Sequence, residues 1–439
     1  MATEAVKLGD VQGIVYQGYR RHEYAGFLLA QLAPGAASKA WLRTLPVASA
    51  ARDPSLAPKI NVAFSRNGLA AVGVPDSVLV NLPQELCEGM AARAKTLGDT
   101  DENWVLPREP DVLLLIYACT PDELATAMKQ QRDALVAAGA TVHPDEVAWK
   151  FEEREHFGFA DGLSQPFIAG MHAEPRAHEH PIAIGEILLG YANEYGKLPA
   201  SPTWDDFDLG ANGTYLVFRK LAQDVGGLWR HLGDQAEALG LDRTTGATWL
   251  GAKLMGRWPS GAPVAMTPDR DDPELAGANN FMYLDSDPDG LRCPIASHIR
   301  RANPRDARDG DAKTSLKVVN RHRILRRGRS WGPPTTIPEA LAGRASNDPR
   351  GLYFIGLGAS IARSFEFIQQ SWLVNPGFHG LDGESDPIAG PGGCPFTIPA
   401  EPYRLRLPPM PPVVTVLGGG YFFLPSLSAI ARIVASEDR

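Results

Sequence analysis

Val112-Leu113-Leu114-Leu115-Ile116-Tyr117 is followed almost at once by Thr120-Pro121-Asp122-Glu123. The first run is short, continuous and apolar, the pattern of a strand covered on both faces. The second is a helix start, with Thr at the cap position and Pro in the first turn. A strand that hands directly to a helix sets the grammar of the chain, and the same grammar recurs in both directions. Upstream, Ala25–Leu32 reads as a strand, Ala36–Leu45 as a helix, Ile60–Phe64 as a short strand and Arg66–Val72 as the start of another helix. Downstream, the helix that opens at Thr120 is expected to end near Gly139, with a strand running toward Phe151. The second half repeats the theme: strands at Thr214–Leu221, Leu352–Leu357 and Tyr421–Leu424, helices at Asp224–Leu239, Ile361–Trp372 and Ser426–Ala435. Two similar halves of this kind predict an α+β fold made of two sandwiches, each a sheet with helices on one face. His172–Pro202 reads as the long connection between them, and Gly256–Asp311, rich in Gly, Pro and Asp, as extended loops of the sort that carry function. Gly418-Gly419-Gly420 is expected to precede a strand, not a helix, so it is no phosphate cradle.

Composition narrows the function. The chain has 439 residues, enough for two or three domains or one duplicated body with room for a sizeable cofactor. A net charge of −8 argues against a nucleic-acid partner, which needs clustered Lys and Arg. The one basic run, Arg321–Arg329, is either a solvated loop or part of a site. No stretch of about 18 apolar residues exists, so no membrane-spanning helix is expected. The polar Met1–Asp10 carries no visible signal peptide. The scattered Cys87, Cys119, Cys293 and Cys394 form no Cys-x-x-Cys pair, so a reduced cytoplasmic protein is the expectation. His172, His178 and His180 with Glu174 and Glu179 form a loose cluster whose spacing fits no zinc pattern, and a solvated loop is the better reading.

Three segments carry chemistry. In Phe157-Gly158-Phe159-Ala160-Asp161-Gly162-Leu163-Ser164-Gln165-Pro166, two glycines flank one carboxylate. Glycine lets the backbone turn sharply and approach a flat ligand closely. An Asp-Gly pair alone is most often a surface turn, but the two nearby Phe residues favour a buried Asp161. In Cys293-Pro294-Ile295-Ala296-Ser297-His298-Ile299-Arg300-Arg301, a neutral His298 could serve as an axial haem ligand. A lone His is more often an ordinary core or surface residue. Arg300 and its basic neighbours could neutralise haem propionates or form a solvated face. In Asn320-Arg321-His322-Arg323-Ile324-Leu325-Arg326-Arg327-Gly328, strand alternation sends Arg326 and Arg327 to opposite faces. Only one can enter a pocket, and the residues themselves do not choose between them.

Taken together and in this order, the three segments resemble the dye-decolorising peroxidase family. The resemblance runs through most of the chain: Asp10-Val11-Gln12-Gly13, Gly185-Glu186-Ile187-Leu188-Leu189-Gly190-Tyr191, Gly213-Thr214-Tyr215-Leu216-Val217-Phe218-Arg219, Arg257-Trp258-Pro259-Ser260-Gly261-Ala262-Pro263 and Gly419-Gly420-Tyr421-Phe422-Phe423-Leu424-Pro425. It implies a duplicated ferredoxin-like sandwich with two antiparallel sheets, helices packed outside, and haem b in the C-terminal half. It divides the chain into an N-terminal domain, residues 1–200, with the distal Asp loop, and a C-terminal haem-binding domain, residues 201–439. It makes His298 the proximal ligand and the one metal-binding residue, with Asp386 behind it. It makes Asp161 the distal acid and Arg326 the distal arginine, with Arg327 the alternative. Gly158, Gly162 and Arg300 would contact the cofactor, and Leu352 and Phe354 would form the distal apolar wall. The implied partners are hydrogen peroxide and dyes, phenols or other organic reductants. Trp372 is a candidate electron relay to bulky dyes, although Ile361, Phe365, Ile368 and Trp372 also fall at the spacing of a core stripe.

Two rivals come from other classes. A protein that only carries or senses haem would keep His298 without needing Asp161 and Arg326 together. An interaction module without cofactor would show no Soret band. Haem enzymes that decompose chlorite do not need the Gly-x-x-Asp-Gly acid and rank lower.

Overall fold

The computed structural model describes residues 6–100, 102–151, 154–171 and 180–436. The first half contains β1 (Tyr24–Gln31), α1 (Ala36–Thr44), β2 (Lys59–Phe64), β3 (Val112–Ala118), α2 (Pro121–Ala137) and β4 (Glu146–Trp149). Its strands lie side by side in the order β4-β1-β3-β2, all antiparallel. The second half contains β5 (Thr214–Gln223), α3 (Val225–Ala238), β6 (Arg329–Trp331), β7 (Gly351–Gly358) and β8 (Val414–Leu424). Its order, β8-β5-β7-β6, is the same permutation, again antiparallel. The fold is therefore the duplicated α+β arrangement that the sequence implies.

The two sheets join edge to edge. β2 meets β8 through one pair, Phe64 with Phe423, and β4 meets β6 through one pair, Trp149 with Ser330. In each seam the second strand of one half meets the fourth strand of the other, so the strands close into a ring. Closure removes the exposed edges that open sheets must otherwise protect. Alternation then sorts the side chains. Phe27, Leu29, Leu113, Leu115, Phe218 and Tyr353 fill the interior of the ring, while Leu28, Leu114 and Ile116 face the outer helices. β3 is buried along its whole length because both faces are covered. α2 begins with a capping box, in which Thr120 and Glu123 satisfy each other's backbone N–H.

The Asp10–Gly13 motif has a structural use. Gln12 is fully buried and takes the place of a strand residue at the narrow β2–β8 seam. Its Nε2 donates to the Val62 and Pro425 carbonyls, each at 2.8 Å, and its Oε1 accepts the Val62 N–H at 2.9 Å. Asp10 accepts the Ser428 N–H at 2.7 Å and so ties the start of the described chain to its closing helix, Leu427–Ala435.

Two expectations change. Gly418-Gly419-Gly420 lie inside β8, which begins at Val414, and do not precede it. A Cβ on Gly419 would stand 2.5 Å from the Phe218 carbonyl, so that glycine lets β8 press against β5. The segment Ile361–Trp372 is helical but wound in wide π turns, Ala362–Glu366 and Ile368–Leu373. Gly256–Asp311 is largely irregular, as expected. The sequence reading missed the helix Arg243–Met255, whose seven buried positions include several small or polar residues and so make a weak apolar stripe. Among the described residues no helix is long and apolar enough to cross a membrane. Apart from His180, the histidine and glutamate cluster of the 172–180 stretch lies outside the described residues.

Candidate active site

A cavity of 740 Å³ opens between the ring and the loops of the second half, within the size range of small-molecule and cofactor sites. Most of its lining comes from residues beyond 219, and the loop 154–165 from the first half closes another side.

That loop turns where its glycines require it: φ is +92° at Gly158 and +76° at Gly162. Phe157 and Phe159 are buried against α3, where the Trp229 indole N–H donates to the Phe157 carbonyl at 3.0 Å and its ring stacks on Phe159. The expectation of a buried Asp161 is corrected here. The aromatics take the turn into the core and leave Asp161 exposed to the cavity, its Oδ1 accepting the Gly162 N–H at 2.6 Å. Gly162 lines the cavity with open space where a side chain would stand. Gly158 does not line it, since a Cβ there would meet Ile337 at 2.7 Å.

His298 opens the short helix His298–Ala302 and lines the same cavity. Its Nδ1 lies 3.0 and 3.1 Å from the two oxygens of Asp386. Asp386 is 1% exposed and also accepts the Ile388 N–H at 2.9 Å and the Ala389 N–H at 2.7 Å. Burial alone would lower the basicity of His298, but the Asp386 carboxylate outweighs it and the net shift is upward. Burial likewise opposes ionisation of Asp386, and His298 with the backbone donors holds its carboxyl below the usual range. Among the described residues nothing bonds Nε2 of His298, which is left for a ligand.

Arg326 and Arg327 both line the cavity, but their partners differ. Arg327 Nε donates to the Ile14 carbonyl at 2.8 Å and its Nη2 to the Val15 carbonyl at 2.9 Å, capping a short N-terminal helix. Arg326 lines the cavity, its backbone N–H held by Gln165 Oε1 at 3.0 Å. Its guanidinium has no protein acceptor among the described residues. Leu352 and Phe354 also line the cavity. Arg300 does not, and its expected contact with a cofactor is corrected. It is 2% exposed, donates to Asp287 Oδ2 at 2.9 Å and to the Cys293 carbonyl at 2.7 Å, and stacks over Tyr283. Arg301 is spent in the same way on the carbonyls of Trp372, Glu384 and Asn375.

The sequence reading missed Arg323. This arginine lines the cavity without a protein acceptor among the described residues. Burial first, then the charges of Arg305 and Arg326, push its pKa down to about 9, the mark of a cation that lacks an anion. The signal was present in the basic run, but nothing in the run separates a cavity-facing arginine from a solvated one.

Known proteins decide the family. Over 418 residues the chain is 32% identical to a dye-decolorizing peroxidase of Mycena epipterygia, covering 86% of this chain and 76% of that protein. A dye-decolorizing peroxidase of Mycetinis scorodonius is 31% identical over 99% of this chain and 89% of its own length. This chain belongs to the dye-decolorizing peroxidases. The solved structure of a decolorizing peroxidase from Auricularia auricula-judae superposes with a TM-score of 0.84 at 27% identity, over 98% of this chain and 100% of that one. No protein-family model matches. The dye-decolorizing peroxidase described here is accordingly a haem enzyme that uses hydrogen peroxide to oxidise organic substrates.

The cavity fits haem on its own terms. Among the described residues it combines an imidazole nitrogen with no protein partner, a buried carboxylate behind that imidazole, and cations without protein anions. A metal-bound His commonly donates its other ring N–H to a carboxylate, which fixes the tautomer.

Proposed function

We propose that His298 Nε2 is the one protein ligand to the iron of haem b, that Asp161 is the acid–base residue for hydrogen peroxide, and that Arg326 stabilises the charge that develops on it. One observation carries this reading: among the described residues, a single cavity is lined by an imidazole fixed through Asp386, a carboxylate free of ion pairs and an arginine without a protein acceptor. Arg323 is the residue to hold a propionate, together with Arg305, whose guanidinium already stacks on Phe281 and donates to the Asn279 and Phe281 carbonyls. In this reading residues 1–200 supply the distal loop and residues 201–439 the proximal ligand.

Bound haem supplies the redox centre at which the oxygen–oxygen bond is reduced and through which electrons leave the organic substrate. The residues do the rest. Asp386 accepts the Nδ1 proton of His298 and keeps Nε2 as a lone-pair donor toward the cavity. Asp161 takes a proton from one peroxide oxygen and returns it to the other, help worth about 10²–10⁴ in rate. Arg326 presents its N–H groups to the oxygen that gathers negative charge, which needs no reorganisation during the step. Leu352 and Phe354 keep that side apolar and strengthen both electrostatic effects.

A dye-decolorizing peroxidase similar to this chain has been solved in complex with 2,6-dimethoxyphenol, at 28% identity and a TM-score of 0.83. Phenols of that class and dyes are therefore the reductants to assay, with neither nucleic acid nor membrane as a partner and the cytoplasm as the compartment. The test of the reading is a set of absorption spectra of the purified protein before and after one equivalent of peroxide, for the parent and for Asp161→Asn. A parent without a Soret band, or an Asp161→Asn variant that reacts with peroxide as fast as the parent, would sink it.

A further inference from the structure

One carboxyl in the cavity has no part in that scheme. Glu155 lines the cavity six residues before Asp161 and forms the centre of the loop that carries it. Its Oε2 accepts the Phe157 N–H at 2.8 Å and its Oε1 the Phe159 N–H at 3.1 Å. Its own N–H donates to the Phe159 carbonyl at 3.1 Å, and its carbonyl accepts the Gly158 N–H at 2.9 Å. The turn is thus wrapped around one side chain. A further bond reaches out of the loop: Gln223 Nε2, at the end of β5, donates to Glu155 Oε2 at 2.7 Å.

Gln223 has a feature that matters for a proton. Its other amide atom, Oε1, is buried and has no partner among the described residues. An amide offers a donor on one end and an acceptor on the other, and exchanges them by a half-turn. With Glu155 ionised, Nε2 donates to the carboxylate. With Glu155 protonated, the turned amide accepts the carboxyl O–H on Oε1. The pair can therefore keep its hydrogen bond in both states.

We propose that Glu155 is a positioning residue for Asp161 and that the Glu155–Gln223 pair holds a proton beside it, whose loss at higher pH slows the peroxide step. This rests on Asp161 as the acid–base residue. Burial raises the Glu155 pKa to about 7, against the pull of the Phe157, Gln223 and Phe159 donors, and the Asp161 charge pushes it further up. His298, on its short helix, feels its charge, and Arg326 and Arg329 line the same cavity. Arg154, from its own loop, is turned onto the Gly158 and Pro259 carbonyls. The sign follows. Below the inflection Glu155 is neutral. Above it, a second negative charge sits beside Asp161 and opposes the negative charge that must build on the departing oxygen.

The experiment is the pH profile of kcat/KM for peroxide on the holoenzyme, with infrared pH-difference spectra of the same samples. The parent should lose rate above pH 7, approaching about tenfold per pH unit. Glu155→Gln should change by less than about threefold between pH 6 and 9 and should lack the protonated-carboxyl band that titrates near neutrality in the parent. Gln223→Leu removes a donor to the ionised form and should move the inflection and the band upward by about half a unit or more. An inflection that persists in Glu155→Gln, or one that stays or falls in Gln223→Leu, overturns the proposal. If Glu155→Gln does not hold haem, the infrared titrations of the parent and Gln223→Leu decide it. Asp161→Asn keeps the two readings apart: slow peroxide reaction there with an unmoved inflection in Glu155→Gln sinks only the role of Glu155.

Discussion

Nδ1 of His298 and Oδ2 of Asp386 stand 3.0 Å apart, 88 residues apart in sequence, with the carboxylate sealed from solvent and pinned by two backbone N–H groups. Neither partner can turn without breaking the other's contacts. The imidazole is thereby held in one tautomer and one orientation before any cofactor arrives, which lowers the entropy that binding must otherwise remove.

Asp386→Asn keeps the shape and one possible acceptor but removes the charge. The His298 ring then becomes a weaker donor to metal, and the iron reduction potential should rise. A loss of about 10–100-fold in activity or cofactor affinity is the usual scale for such a partner. Potentiometric titration with haem content measured alongside checks it, and an unchanged potential would count against the assignment. His298→Ala should abolish or severely weaken haem retention, read as loss of the Soret band. Full loading with the parent's spectrum would remove His298 from the site.

Arg326→Leu and Arg327→Leu should part company. The first removes a cavity-facing guanidinium and should slow the peroxide reaction by about 10²–10³, with little change in Tm. The second strips the donors from the Ile14 and Val15 carbonyls and should cost about 1–3 kcal/mol of stability with a small effect on the peroxide step. Stopped-flow spectra and thermal melts on both variants decide it, and the reverse ranking would show that the wrong arginine serves the pocket.

How much of this was legible in the sequence depends on the range of the interactions. The strand of β3 and the capped start of α2 were readable because apolar runs and caps are local. The duplication was readable as a recurring grammar, yet the ring closure was not, since its two seams rest on single pairs between residues far apart in the chain. At the site, alternation put Arg326 and Arg327 on opposite faces but could not say which guanidinium would be spent on backbone carbonyls. Arg300 misled because adjacency to His298 suggested a shared role, whereas a helix turns the next residues but one toward a different neighbour, here Asp287 and Tyr283. Asp161 misled in the opposite direction: the aromatics beside it are buried, and they expose it.

Arg323 should serve the propionates. Replacement by Leu should weaken haem binding roughly 10–100-fold, the scale of a charge-assisted hydrogen bond. The specific test uses haem and its dimethyl ester on parent and variant. The parent should prefer the free acid, and Arg323→Leu should lose most of that preference. An equal preference in both proteins would assign Arg323 to some other anion.

Trp372 has 1% exposure and packs edge-on against His322, Phe367 and Phe378. Ile368 is buried with it, and Ile361 and Phe365 are buried in the neighbouring core, so the stripe at helical spacing is core. An indole sealed in this way cannot meet a bulky dye at the surface, and the simplest expectation is a packing role. Trp372→Phe should cost roughly 1–3 kcal/mol of stability, as core substitutions of this size do, because the smaller ring leaves space among three aromatic neighbours. Turnover of a large anthraquinone dye and of a small phenol should fall together, in proportion to the haem retained. The measurement pairs both assays with a thermal melt on the same preparation. Selective loss on the dye, with peroxide reaction, haem content and Tm intact, would instead make the buried ring an inner step of an electron path, and its outer step would have to be sought among exposed aromatics such as Tyr195 or Tyr403.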